Sequence, residues 1–441
     1  MRARSLLGTS RRSTSPLPKC ENIDTTRCCS EDRVRTSLPL LLVLSSTSAC
    51  TSEASAACPD GFTMDASGLC LEDAGTDTGE DTGTDTGKDT DTGGDTDTGG
   101  DTDTGGDTDT GGTPSWTVCD DGVAPYADLQ RALDDAMDGD VIRVCPGTYD
   151  HIEIDSLDVS IVGEDSATTR IESGTRCAVV VSDSAVTLTG VTLAGASSSG
   201  MSGEEQTAGL YADGSTLTVS DVRVEGEGTY GIATSGTDAT WDGIRFEGTG
   251  FAYGFAAFSG GTQTIHHSVF TDNVVPTGTG LAVLYLEVDG GEVSNNLFVG
   301  NVRTTGQHVL DVRSGSVKVY NNVLWDNDVG NGSVVVVTNG VKFDNNIVSE
   351  NVGYGVYSES ATVDYNDLWQ NSLGRLAPGT TDADGLDADP AFADPKHGDF
   401  SLDPSWTTCI DAGNPLAGYD DPDGSRNDLG LFGGPFGAWS P

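Results

Sequence analysis

The chain has 441 residues, with 59 Gly, only 7% aromatic side chains and a formal net charge of −47. Residues 1–113 hold 9 basic and 21 acidic side chains, which leaves 13 and 48 for residues 114–441, a net of −35. A surface of that sign excludes nucleic acid and anionic lipid headgroups as partners, and disfavours polyanionic sugars without a bridging divalent cation.

The first element in chain order is a leader. Arg33 and Arg35 precede a short apolar run over residues 38–44, then small residues up to Ala49 and Cys50. A basic segment, an apolar segment and a small-residue cleavage site read as an export signal. The pattern resembles a bacterial lipoprotein signal, which implies lipidation of Cys50 as the first mature residue; it departs from that family at Thr47, where Leu is usual. Ordinary secretory cleavage is the alternative. Residues 1–33 lie far upstream of the apolar run, which suggests initiation near Val34, and Arg11-Arg12 is too distant from it to act as a twin-arginine signal. The boundaries are therefore 1–49 for the leader, 50–74 for a short mature N-terminus, 75–113 for a linker and 114–441 for the folded domain.

Six cysteines remain after Cys50, an even number in an exported setting. Cys58 and Cys70 enclose a small disulfide loop. Cys119 and Cys145 flank a predicted helix and first strand and form a plausible second pair. A bond between the remaining Cys177 and Cys409 would need the tail to fold back along the domain. No CxxC pair or nearby His favours zinc. Residues 75–112 are almost only Asp, Thr and Gly, with twelve acidic residues and Lys88. That composition buries no core, so the segment is expected to be a disordered, self-repelling spacer.

In the folded domain, residues 126–137 carry apolar side chains at helical spacing, and Gly139 ends the predicted helix. A strand over 141–144 and a turn over 146–149 follow. The residues Asp138-Gly-Asp140, Val141, Val144 and Pro146-Gly-Thr-Tyr149 resemble the opening of pectin-lyase-like right-handed parallel β-helices. The resemblance implies that the helix caps the open end of the solenoid core. Period-two stretches at 186–193, 217–224 and 241–246 read as further coils, and 195–207 as a loop leaving the solenoid.

Five copies of one phrase then occur at 265–273, 293–301, 319–327, 343–351 and 363–371, each closing on Asn: Asn273, Asn301, Asn327, Asn351 and Asn371. The steps of 28, 26, 24 and 20 residues suit one turn of a solenoid. Stacked coils lie about 4.8 Å apart, so the closing Asn side chains can form a hydrogen-bonded ladder. Beyond the coils, Asp389-Pro-Ala-Phe392, Gly398-Asp-Phe-Ser-Leu402 and Cys409-Ile-Asp-Ala-Gly413 resemble the closing region of bacterial β-helix repeat proteins, here about 376–441.

Catalytic signals are sparse. A β-helix lyase needs an Arg or Lys base and usually acidic calcium ligands; Arg303, Arg313 and Lys318, near Asp311, are the candidates, set against a bland reading as scattered surface cations. The carboxylate motifs of β-helix polygalacturonases are absent. His266-His267 fills a slot that is Asn-like in the next coils, which makes it a ladder substitute. Asp421, Asp423 and Asp428 around Gly424 suit either a calcium loop or a capped turn. Trp325 and Trp369 share one repeat position and would stack on sugars if they face outward.

The expected protein is all-β: a right-handed, single-stranded parallel β-helix with an N-terminal capping helix, on a disordered stalk of 38 residues that spans about 35 Å as a flexible coil. The expected function is a non-catalytic cell-surface or outer-membrane lipoprotein, otherwise secreted, that needs no cofactor and presents a face to a glycan or a surface protein. The alternative is a polysaccharide lyase or glycoside hydrolase. Three or more carboxylates with Arg or Lys on one face of neighbouring coils would favour the enzyme.

Overall fold

The computed structural model describes residues 62–64, 70–72, 115–119, 124–196, 206–275, 282–301, 307–313 and 315–438. The chain divides into two units, 1–102 and 103–441. In the first, the described residues are an antiparallel pair, Phe62–Met64 with Cys70–Glu72. Cys50, Cys58 and the linker over 75–113 lie outside the described residues.

The second unit is a solenoid of parallel strands on three faces. One coil illustrates it: Thr262–His266 on the first face, Val269–Thr271 on the second and Ala282–Leu286 on the third. Each strand pairs in parallel with its counterpart one coil on, as Ile265 with Val293 and Phe270 with Phe298. The third face has ten strands, one for each turn. Period-two alternation turns one side of every strand inward, so like residues stack. Phe246, Phe270 and Phe298 form such a stack, fully buried, with ring centroids 5.3 and 4.7 Å apart.

Single residues in the left-handed region turn the chain at the corners. Between the first and second faces the column includes Gly243, His267, Asn295, Asn321, Asn345 and Tyr365, with φ between 51° and 68°. Asn and Gly tolerate this conformation best, which is why the first Asn of each Asn-Asn pair sits there. The second Asn points inward. Asn296, Asn322, Asn346 and Asn366 make one buried ladder, in which the Asn296 backbone N–H and Nδ2 both donate to Asn322 Oδ1 at 3.0 Å. The closing Asn residues make a second ladder at the next corner. Asn301 Nδ2 donates to Asn327 Oδ1 at 2.8 Å, Asn327 Nδ2 to Asn351 Oδ1 at 2.9 Å, and Asn351 Nδ2 to Asn371 Oδ1 at 2.9 Å. Each amide of these two ladders thereby both donates and accepts along the stack. His266-His267 does not substitute in a ladder: Ser268 takes that place, its N–H donating to Asn296 Oδ1 at 2.9 Å.

The capping helix is shorter than its apolar spacing predicts. It spans Leu129–Asp134, with Asp128 as N-cap and Leu129, Ala132 and Leu133 buried. Tyr126 is excluded because its backbone bridges to Val118, and Met137 because it turns outward at 64% exposure. Residues 147–150 are a second-face strand rather than a turn. A disulfide joins Cys119 to Cys145 at the ends of two paired strands.

After the last coil the chain folds back along the rod as a strap. Phe392–Asp394 and Asp399–Leu402 pair antiparallel, and Phe400, Cys409, Leu429 and Leu431 bury Leu297, Val323, Trp325 and Ile347. The strap is tied to the outward Asn column. Asn345 Oδ1 accepts from Asn414 N at 2.7 Å, Asn321 and Asn427 exchange amide bonds at 3.0 and 3.1 Å, and Asn295 Nδ2 donates to the Leu431 carbonyl at 2.9 Å. Cys409 lies beside Asp367, its Sγ 3.6 Å from Oδ2. Among the described residues no disulfide links it to Cys177.

Candidate functional site

The outer surface of the third face carries a strip of aromatic rings. Tyr230, Tyr253 and Phe258 lie half-buried around Tyr285, over Ala256 and Ala282, in a cluster separate from the core. Tyr230 stacks on Tyr253 at 5.3 Å, Phe258 meets Tyr285 at 5.4 Å, and Tyr253 meets Tyr285 edge-on at 5.7 Å. The small residues follow from register: Ala256 lies opposite Tyr285, and Ala282 opposite Tyr253. A larger side chain at either would displace a ring.

Polar groups frame the strip. Tyr285 is 8% exposed and its hydroxyl donates to Glu287 Oε2 at 2.7 Å. Burial and that acceptor push its phenol well above the ordinary range. One coil on, Arg313 lies over the Tyr285 ring at 5.5 Å, a cation–π contact. Its guanidinium also donates twice to the fully buried Asp311, at 2.9 and 2.7 Å. That pairing raises Arg313 further above its usual range, so it remains a cation and has no lone pair for use as a base. Beyond it lies a groove of about 620 Å³ lined by His308, Tyr354, Tyr357 and Glu359. From Tyr230 to Tyr357 the strip crosses six coils, about 24 Å at the usual strand spacing.

The lyase candidates do not converge. Lys318 is on the first face, paired with Glu292 at 2.9 Å, whereas Arg313 is on the third. Arg303 lies outside the described residues. Trp325 is 6% exposed, packed edge-on against Phe400 at 5.7 Å, so it faces the strap rather than solvent. Trp369, two coils further on, is partly exposed.

The carboxylates near Gly424 serve as caps. Asp421 accepts from Asp428 N and Gly434 N, Asp423 from Ser425 N, and Asp428 from Asp411 N. Among the described residues no group of three or more His, Cys, Asp or Glu is placed to hold a metal ion. A different set gathers at the C-terminal end of the rod. Asp344 and Asp364 are in register on the first face, Asp364 Oδ1 accepts from Asp384 N at 2.9 Å, and Asp382 pairs with Arg375 at 3.1 Å. Burial pushes Asp344 and Asp382 each up to about 6. Asp344 is covered by the strap, with Tyr419 donating to it at 3.2 Å.

Residues 177–373 match the family model described as a right handed beta helix region. The solenoid is a right-handed parallel β-helix. Among solved structures, the β-helix is similar to a pectate lyase at 14% identity and a TM-score of 0.38, over 73% of this chain and 96% of that one. It is similar to a pectin methylesterase from carrot at 12% identity and 0.35, over 67% and 99%. A third likeness, at 13% and 0.34, is to the catalytic domain of an alpha-1,3-glucanase in complex with nigerose, over 60% of each chain. At such values these likenesses assign no chemistry to the β-helix. Among curated proteins no match was found.

The aromatic strip escapes the repeat-based reading because its rings lie in stretches of irregular length outside the shared phrase. The available signal was Tyr or Phe recurring among Gly and Ala at 228–233, 251–258 and 353–357.

Proposed function

We propose that the β-helix is a non-catalytic binding protein displayed at a cell surface, and that its third face grips a neutral glycan. The aromatic strip carries this reading. Half-buried rings beside small residues offer apolar area to sugar rings, and Glu287, Arg313 and Glu359 at its margin offer hydrogen bonds to hydroxyls. The acidic surface favours a neutral chain over a polyanion. Lipidation at Cys50 would hold the rod to a membrane, with residues 75–113 as its stalk; palmitate labelling that survives Cys50→Ala would refute the anchor.

The test is binding of the whole chain to a panel of neutral and acidic polysaccharides, with Tyr253→Ala compared directly. Loss of one stacking ring should weaken binding by about two- to tenfold, by analogy with the ~0.5–1.5 kcal/mol of an aromatic pair. Equal binding by the variant, or binding to polyanions alone, would sink the proposal.

A second reading keeps one specific support. Asp382, its carboxyl pushed by burial up to about 6, lies near Asp364 and Asp384, and a carboxyl that keeps its proton near neutral pH suits a general acid. Its side chain is 1% exposed and that of Asp344 lies under the strap, which limits contact with a polymer. Release of reducing ends from any polysaccharide, lost on Asp364→Asn, would establish this reading instead.

A further inference from the structure

The strap ends on a histidine whose two ring nitrogens face two acceptors. His267 Nδ1 lies 2.7 Å from Asp242 Oδ1, and Nε2 lies 2.9 Å from the Phe436 carbonyl oxygen. A carbonyl oxygen only accepts, and so does an ionised carboxylate. The bond to His267 holds Asp242 below the usual carboxylate range. A neutral imidazole has one N–H and one lone pair, so it satisfies one partner and sets a lone pair against the other. The imidazolium satisfies both. We propose that protonated His267 is a latch holding the end of the strap on the rod, and that loss of its proton frees residues 435–438.

The geometry confines the release to that end. Just before it, Asn295 Nδ2 donates to the carbonyls of Leu431 and Gly433, both at 2.9 Å, and neither contact involves a titrating group. Beyond Gly433 the strap is held by His267, by the Phe436 ring at 4.4 Å from the His266 ring, and by Gly434 N donating to Asp421. His267 also sits at φ 51°, in the corner slot that Asn fills in the next three coils. Its imidazole therefore replaces an amide that holds the strap at any pH with a group that holds Asp242 and the strap together only when charged; once neutral, its one remaining N–H goes to the ionised Asp242, the stronger acceptor.

Among the described residues, Asp242 and His266 are the titratable groups that face the latch, Glu292 acts on His266 behind it, and Asp421 reaches it through Gly434. Burial and the neighbouring His267 pull His266 down from 6.5, and burial brings Asp421 up to about 6. Burial pulls His267 down too, but Asp242 and the Phe436 carbonyl outweigh it and leave it raised above 6.5. A histidine raised in this way contributes contact that is complete below 6.5 and lost as pH climbs through its folded value. Above pH 6.5 His267 is the member of this set that changes charge.

The experiment is amide hydrogen exchange of residues 430–438 in the whole chain, from pH 6 to 9, corrected for base catalysis. Ring protonation of His267 is followed in parallel by NMR. Protection of Phe436, Gly437 and Ala438 should fall about tenfold in step with the ring titration, the scale of one charge-assisted hydrogen bond. His267→Asn keeps the corner conformation and should make protection independent of pH. Asp242→Asn should move the transition to lower pH, and His397→Gln, elsewhere on the strap, should leave it in place. Flat protection across the window, or a transition that survives His267→Asn, would overturn the latch.

Discussion

The second face of the β-helix is two surfaces on one backbone. In its first half the outward columns are mostly charged: Arg170, Arg223 and Arg245 run beside Glu172, Glu225 and Glu247, interrupted in one coil by Thr192 and Ala194, with Arg170 reaching Glu172 and Glu225 at 2.6 Å. In its second half the same column continues as Val269, Leu297, Val323 and Ile347, and the strap covers the last three. Strand pairing is unchanged across the boundary. Outward side chains alone decide whether a coil faces water or docks another segment, because the ladder and core are complete without them.

The sharpest way to break this contrast is Val323→Asp. A carboxylate placed beneath Leu429 and Leu431 has no counter-ion there, and an uncompensated buried charge costs about 3–5 kcal/mol. The strap should detach, seen as rapid proteolysis within 404–438, while the coils stay protected. Intact strap protection in this variant would mean the apolar column does not hold it.

A medium effect is expected from pH. Burial pushes Asp344 and Asp367, both against the closing segment, up to about 6 from 3.8. The folded protein therefore binds protons more tightly than the unfolded chain. Docking is strongest below pH 3.8 and weakens as pH rises to about 6. Asp344→Asn should flatten part of that slope in urea melts recorded between pH 4 and 7, and a steeper slope would contradict the assignment.

The smallest effect belongs to the open half. Arg223 and Glu247 are each more than a third exposed and 3.2 Å apart, so Glu247→Gln should change stability by less than about 1 kcal/mol. A larger shift in denaturation midpoint would show that the charged columns carry structural weight.

These differences explain what was readable beforehand. The coils were legible because inward columns and both Asn corners repeat in register. The strap left a trace that repeat-finding passes over: in Val269-Phe270, Leu297-Phe298, Val323-Leu324 and Ile347-Val348 two adjacent apolar residues must face opposite sides of a strand, which means both sides are covered. What covers the outer side was not legible, because the strap meets the rod through non-periodic contacts. Helix ends were overextended where Tyr126 was captured by a backbone bridge that spacing does not reveal. The aromatic strip was missed because outward Tyr and inward Phe look alike to a hydrophobic pattern.

The most direct test of glycan binding on the third face is amide-exchange mapping of the whole chain with and without the tightest-binding neutral polysaccharide. New protection at 228–235, 250–258, 282–286 and 308–313, with none at the strap, is the expected result. Protection centred on 364–384 instead would place the polymer at the carboxylate cluster and contradict a binding face on the aromatic strip.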